Sequence, residues 1–164
     1  MIQSILEAPF TLASNTSKVI FDEIDERSKD ATPCGWLCHQ KGSPLYQLLG
    51  NNGCPCRTQK YYINFNANIT GATAGTPVAL ALFEDGVIVP GTTVIATVTA
   101  ANDISNVSFG KIISVCPRSN TSISIGSVDT IPNVADPTGA GIATQAPTIL
   151  NANFAILESK NNAR

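Results

Sequence analysis

Five cysteines and one histidine are the residues best equipped for chemistry in this 164-residue chain. Four thiols form two clusters, Cys34-x3-Cys38-His39 and Cys54-Pro55-Cys56, and Cys116 stands alone. Thiolates from both clusters could hold a structural zinc, which stabilises a segment with little core of its own. Neither cluster has the C-x-x-C spacing of common zinc fingers. Disulfides between the clusters would staple the same segment in an oxidising exterior. Cysteines packed as small apolar side chains are the third reading, and the residues leave all three open. Beyond that zinc, no cofactor is expected. Cys116, at a strand end with no local partner, should pack in the core or face a neighbour.

Catalysis finds little to work with. A Cys-His nucleophile needs converging side chains, and Cys38 and His39, adjacent in extended chain, diverge. Gly71-Ala72-Thr73-Ala74-Gly75-Thr76 lacks the lysine of a phosphate-binding loop. Glu84-Asp85, Asp129 and Asp136 form no Asp-x-Asp-x-Asp calcium loop. No catalytic residue is expected, and the chain does not read as an enzyme.

Partners are bounded by charge. Lys plus Arg is 10 against 12 for Asp plus Glu, a net of −2. That balance gives no electrostatic grip on nucleic acid or an anionic membrane. Trp36, Tyr61 and Tyr62 lack interleaved basic residues for stacking on bases. No run reaches the ~18 apolar residues of a membrane span. Met1 to Ser17 has neither a basic start nor a continuous apolar run, so synthesis as a cytosolic product is expected. The sequons at Asn15, Asn68, Asn106 and Asn120 then read as strand-and-turn composition. Only 13% of residues are charged, about half the usual share, so burial against sister subunits is expected, with a polar uncharged surface as the alternative.

Three zones follow. Residues 1–33 read as an extended arm that docks on a partner, with Ile5, Leu6, Phe10, Leu12 and Phe21 as apolar anchors without one clean period; a first strand of the main fold is the alternative. Residues 34–59 are a Cys/Gly-rich linker or knot, punctuated by Thr32-Pro33-Cys34-Gly35, Lys41-Gly42-Ser43-Pro44 and Gly50-Asn51-Asn52-Gly53. Between those turns, Leu45 to Leu49 reads as a short strand or helical turn. Residues 60–164 form the main domain. Tyr61, Ile63, Phe65, Ala67 and Ile69 alternate with polar residues, as in a half-buried antiparallel strand. Val78 to Phe83 is a more buried strand, and Asp85-Gly86 is a primed hairpin turn. Strand-like runs follow over 92–100, 106–109, 111–115, 121–125 and 148–158, with a Gly/Ala/Pro-rich loop over 132–147. About eight short strands with turns every 8–12 residues predict an all-β antiparallel sandwich, jelly roll or barrel.

Tyr61-Tyr62-Ile63-Asn64-Phe65-Asn66-Ala67-Asn68-Ile69, the hairpin Ala79-Leu80-Ala81-Leu82-Phe83-Glu84-Asp85-Gly86-Val87-Ile88-Val89-Pro90-Gly91 and the closing Asn151-Ala152-Asn153-Phe154-Ala155-Ile156-Leu157 carry a resemblance. They are similar to the trimeric TNF-like jelly rolls of Firmicute and bacteriophage surface proteins. Trp36 to Tyr46 resembles the linker that precedes such domains. The resemblance implies a homotrimer that decorates a virion, a capsid decoration or head-fibre protein made in the host cytoplasm. Its N-terminal region would grip the major capsid protein. Tyr62, Phe65, Phe83, Phe109 and Phe154 become candidates for the core or the threefold seam. Spore-surface proteins that share the domain carry a collagen-like stalk, which this chain lacks. The alternative is a receptor- or glycan-binding adhesin, on a phage tail or spore surface, using the 132–147 loop.

Overall fold

A computed structural model describes residues 1–12, 17–21, 23–26 (backbone alone), 37–40, 42–50, 57–132 and 139–159. Every regular element among them is a strand, and no helix is long and apolar enough to cross a membrane. The chain is all-β and antiparallel.

The first sheet holds β1 (Ile2–Leu6), β2 (Phe10–Thr11), β3 (Glu23–Glu26), β6 (Gln59–Thr70), β10 (Ser105–Val115) and β14 (Thr148–Glu158), in the order β10-β6-β14-β1-β3. β2 pairs with β14 beyond the end of β1, after a break at Glu7 to Pro9. The second sheet holds β4 (Leu37–His39), β5 (Tyr46–Leu49), β7 (Pro77–Glu84), β8 (Val87–Ile88), β9 (Val94–Thr97) and β11 (Asn120–Ser127). Its order is β4-β5-β11-β7-β8, with β9 also on β7. β12 (Thr130–Ile131) and β13 (Ile142–Ala143) make a separate ribbon. Four of the pairings are nested: β1 joins β14, β5 joins β11, β6 joins β10, and β7 joins β9, while β6–β14 and β7–β11 close the two sheets.

Period-two patterning places the core. In β6, Tyr61, Ile63, Phe65, Ala67 and Ile69 point inward and are buried, while Lys60, Tyr62, Asn64 and Asn66 point out. β14 contributes Ala152, Phe154 and Ile156 to the same interior. An aromatic cluster fills the middle: Phe154 lies 5.6 Å from Phe21, 5.1 Å from Tyr46 and 6.4 Å from Phe65, centroid to centroid. Offset and edge-on rings of this kind add to the area they bury. β7 is buried over Pro77 to Leu82 on both faces, because Val128 and Ile131 cover Ala79 and Ala81 from outside. Gly110 does not break β10, so the two runs read at 106–109 and 111–115 are one strand.

Two expectations need correction. The arm is part of the sandwich. β1 lies between β14 and β3, and Leu6, Leu12 and Phe21 belong to the main core, with Leu6 and Leu12 only 1% exposed. Residues 17–19 then cross to the second sheet, where Lys18 bridges Gly126 and the Val19 amide donates to Ile125 O. The 34–59 segment is likewise no separate knot in its described part. β4 and β5 extend the second sheet, and Tyr46 and Leu48 are fully buried. One apolar interior is more stable than an arm that leaves such side chains in water.

Candidate interaction face

The outer face of the first sheet carries the most distinctive surface. Tyr61 and Tyr62 are neighbours on one strand, so one must point out. Tyr61 goes inward and its hydroxyl donates to Leu49 O at 2.6 Å. Tyr62 is 46% exposed, flanked in register by Ile112 of β10 and Leu157 of β14, at 50% and 40%. The three make an apolar row across three strands. Below it, register places Gly110, Asn64 and Ala155 abreast, then Ser108, Asn66 and Asn153, then Asn106, Asn68 and Asn151. The last of these rows is tied across its three strands. Asn68 Nδ2 donates to Asn151 Oδ1 at 3.0 Å, and Asn106 Nδ2 donates to Asn68 Oδ1 at 3.0 Å. Among the outward positions of β1, β6, β10 and β14, Lys60 alone is charged. A cleft of about 430 Å³ opens on this face beside Ile5, Glu7, Asn66, Asn151 and Asn153, and on the β3 side of the sheet Asp25 and Glu23 stand in register with Gln3 and Ile5, so acidic residues border the face at that edge.

The five expected arm anchors part company. Ile5 is half-buried on this outer face, and Phe10 packs partly buried against the core. Leu6, Leu12 and Phe21 are interior, which removes them as contacts to another protein. The five aromatic candidates also divide. Phe65 and Phe154 are fully buried, and Phe109 packs 5.3 Å from Phe65. Tyr62 is on the outer face of the first sheet. Phe83 lies on the outer side of the second sheet, beneath the Lys18 ammonium at 2.8 Å from the ring centroid.

Of the expected zinc or disulfide set, Cys38 is half-buried on β4, while Cys34, Cys54 and Cys56 lie outside the described residues. Among the described residues no three His, Cys, Asp or Glu side chains converge as metal ligands. Cys116 is an exposed thiol. His39 stacks on Tyr46 at 4.0 Å, and its Nδ1 lies 3.0 Å from Leu45 O, an acceptor, which places the proton on Nδ1. The imidazole is engaged in packing.

Elsewhere the polar groups build turns. Asp85, at φ 47°, accepts from the Ser122 amide at 2.7 Å, Thr121 Oγ1 at 2.7 Å and Ser122 Oγ at 2.9 Å. Those donors hold its carboxyl below the usual carboxylate range. The 71–76 loop is clamped by Gln145, whose Nε2 donates to Thr73 O and Thr76 O, both at 2.7 Å, while Oε1 accepts from the Thr73 amide. The sequon residue Asn68 has its amide in the asparagine chain, and the Thr70 of that sequon is buried.

Sequence reasoning singled out Tyr62 but not its partners. Ile112 and Leu157 could have been found from phase, as large apolar residues at polar-side positions of alternating strands. Compared with protein-family models and with curated proteins, the chain matches none.

Proposed function

We propose that this chain is a non-catalytic jelly-roll module of TNF-like type that self-associates as a homotrimer and decorates the capsid of a bacteriophage. The nested strand pairing supports the jelly-roll reading, since that fold is one long antiparallel ribbon wound onto itself. The observation that carries self-association is the Ile112–Tyr62–Leu157 row, an exposed apolar stripe across β10, β6 and β14, whose outward positions hold Lys60 as their one charge. An apolar row of this kind is costly to leave in water, and three copies meeting about a threefold axis would bury it, with Lys60 at its rim. Virion decoration rests on the resemblance of the hairpin and closing strand. Capsid contact falls to the remaining surface of the N-terminal region, where Met1 and Ile20 are exposed apolar side chains. Modest contacts repeated on three subunits would act together.

Sedimentation velocity on the full chain tests the reading. The expected species has three times the 17.2 kDa of one chain. Tyr62→Asp with Ile112→Asp should give folded monomers. A monomeric wild type, or a double variant that still forms trimers, overturns the assembly. Co-sedimentation with bare shells of the major capsid protein tests decoration, and a trimer that stays in the supernatant overturns it.

A further inference from the structure

On the opposite outer face, a cleft of about 520 Å³ opens between the β7–β8 hairpin and the turn after β11, lined by Lys18, Phe83, Ile88, Val128, Asp129 and Thr130. Its volume is within the roughly 300–1,000 Å³ of small-molecule sites. The lysine is held in place by the strand it crosses. A Cβ on Gly126 would come within 2.7 Å of Lys18 Cδ and 2.9 Å of its Nζ, so a glycine in mid-strand leaves the room in which the stem lies flat. Backbone bonds on both sides, Val19 N to Ile125 O and Ser127 N to Ser17 O, fix that crossing. The ammonium then sits over the Phe83 ring.

This is a positive charge half-withdrawn from water with an aromatic face as its counterweight. Burial lowers the Lys18 pKa, and no carboxylate among the described residues offsets that burial. A ring face compensates a cation less fully than a carboxylate does. We propose that this cleft is a binding site for a small carboxylic acid with an apolar body. The carboxylate pairs with Lys18 Nζ, and the body lies against Phe83, Ile88 and Val128. Asp129 belongs to the same cleft and opposes any anion, so it sets the ligand's direction, carboxylate toward Lys18 and away from Asp129.

The test is calorimetric titration of the full-length protein at pH 7 with a series from acetate through 4-phenylbutanoate to 1-naphthoate, each beside its neutral alcohol. Saturable binding that strengthens with apolar size is expected, with the acid about tenfold or more tighter than its alcohol, as a charge-assisted hydrogen bond supplies. Lys18→Met should abolish that preference and leave the alcohol unchanged, Lys18→Arg should keep it, and Asp129→Asn should tighten the acid. Reductive methylation of the wild-type protein, read by mass spectrometry, needs no variant: a bound acid should slow modification of Lys18 and spare the rate at Lys111. Failure of every acid to bind, equal binding of acid and alcohol, or methylation of Lys18 at an unaltered rate would overturn the site.

Discussion

The Tyr46 hydroxyl donates a 2.7 Å hydrogen bond to Ser4 Oγ in the buried interior, joining β5 of one sheet to β1 of the other. Both residues are fully buried, and Tyr46 also meets Phe21, Phe154 and His39. Removing one partner leaves a polar group without water or a mate, whereas removing both leaves an apolar contact. Tyr46→Phe and Ser4→Ala should each lower stability by about 1–3 kcal/mol. The double variant should cost less than the two added together. Urea midpoints at constant slope measure this, and strict additivity would show that the bond contributes nothing of its own.

The same geometry changes what N-terminal truncation means. β1 covers one edge of β14 from Ile2↔Ile156 to Leu6↔Ala152, and β2 continues along it at Phe10↔Ile149. Deleting residues 1–30 therefore exposes the β14 edge and removes Leu6, Leu12, Val19 and Phe21 from the core. The expected product is unfolded or aggregated, since an unprotected edge templates pairing with other chains. Leu12→Ala alone should cost about 2–5 kcal/mol. A truncated chain with an unaltered thermal transition would restore the separate arm.

How far the fold was legible depends on the range of the interactions involved. β6, β7 and β14 are visible in sequence because burial on one face alternates with exposure, or because both faces are covered and the run is wholly apolar. β1 is not, since the inward series Ile2, Ser4, Leu6 is interrupted by a serine whose partner lies 42 positions away. The boundary read at Lys60 followed a change in charge. That change marks no break in the fold, since β4, β5 and β6 all enter one sandwich. Gln145 is a further case: its clamp on the 71–76 loop spans 69 to 72 positions and leaves no local pattern. At the candidate face, the Tyr61-Tyr62 pair revealed one outward aromatic, but its row required the register of three strands.

Asp85 should govern part of the acid limb of stability. Its folded carboxyl titrates below the usual value of 3.8, through the Ser122 amide first and the Thr121 and Ser122 hydroxyls after it. A depressed carboxyl stabilises the fold above the unfolded pKa, and that contribution is lost as pH falls through the folded one. Asparagine tolerates the positive φ of this turn, so Asp85→Asn tests charge with the backbone kept. The wild type should exceed the variant at pH 7 by under about 1 kcal/mol, because the site is open to solvent. The gap should close as pH falls below about 4 in urea titrations. A gap that stays constant across that range would mean that the charge is not involved.

The alkaline limb has a different source. Burial pushes the Tyr46 phenol up to about 12, against the ordinary 10.0, with the Ser4 bond acting in the other direction. Burial raises Tyr61 as well. An acid whose folded pKa is raised leaves the native state at full strength below the unfolded value. Above it, the unfolded chain sheds its proton first and the fold loses ground until the folded pKa is reached. Each such tyrosine should therefore steepen the fall in stability between pH 10 and pH 12 by about 1.4 kcal/mol per pH unit. Tyr46→Phe removes one of the two contributions, so its denaturation free energy should fall with roughly that much less slope, on top of a pH-independent loss of the Ser4 bond. If the variant and the wild type decline in parallel over this window, water reaches Tyr46 in the native state, and the sealed aromatic centre described above does not exist in solution.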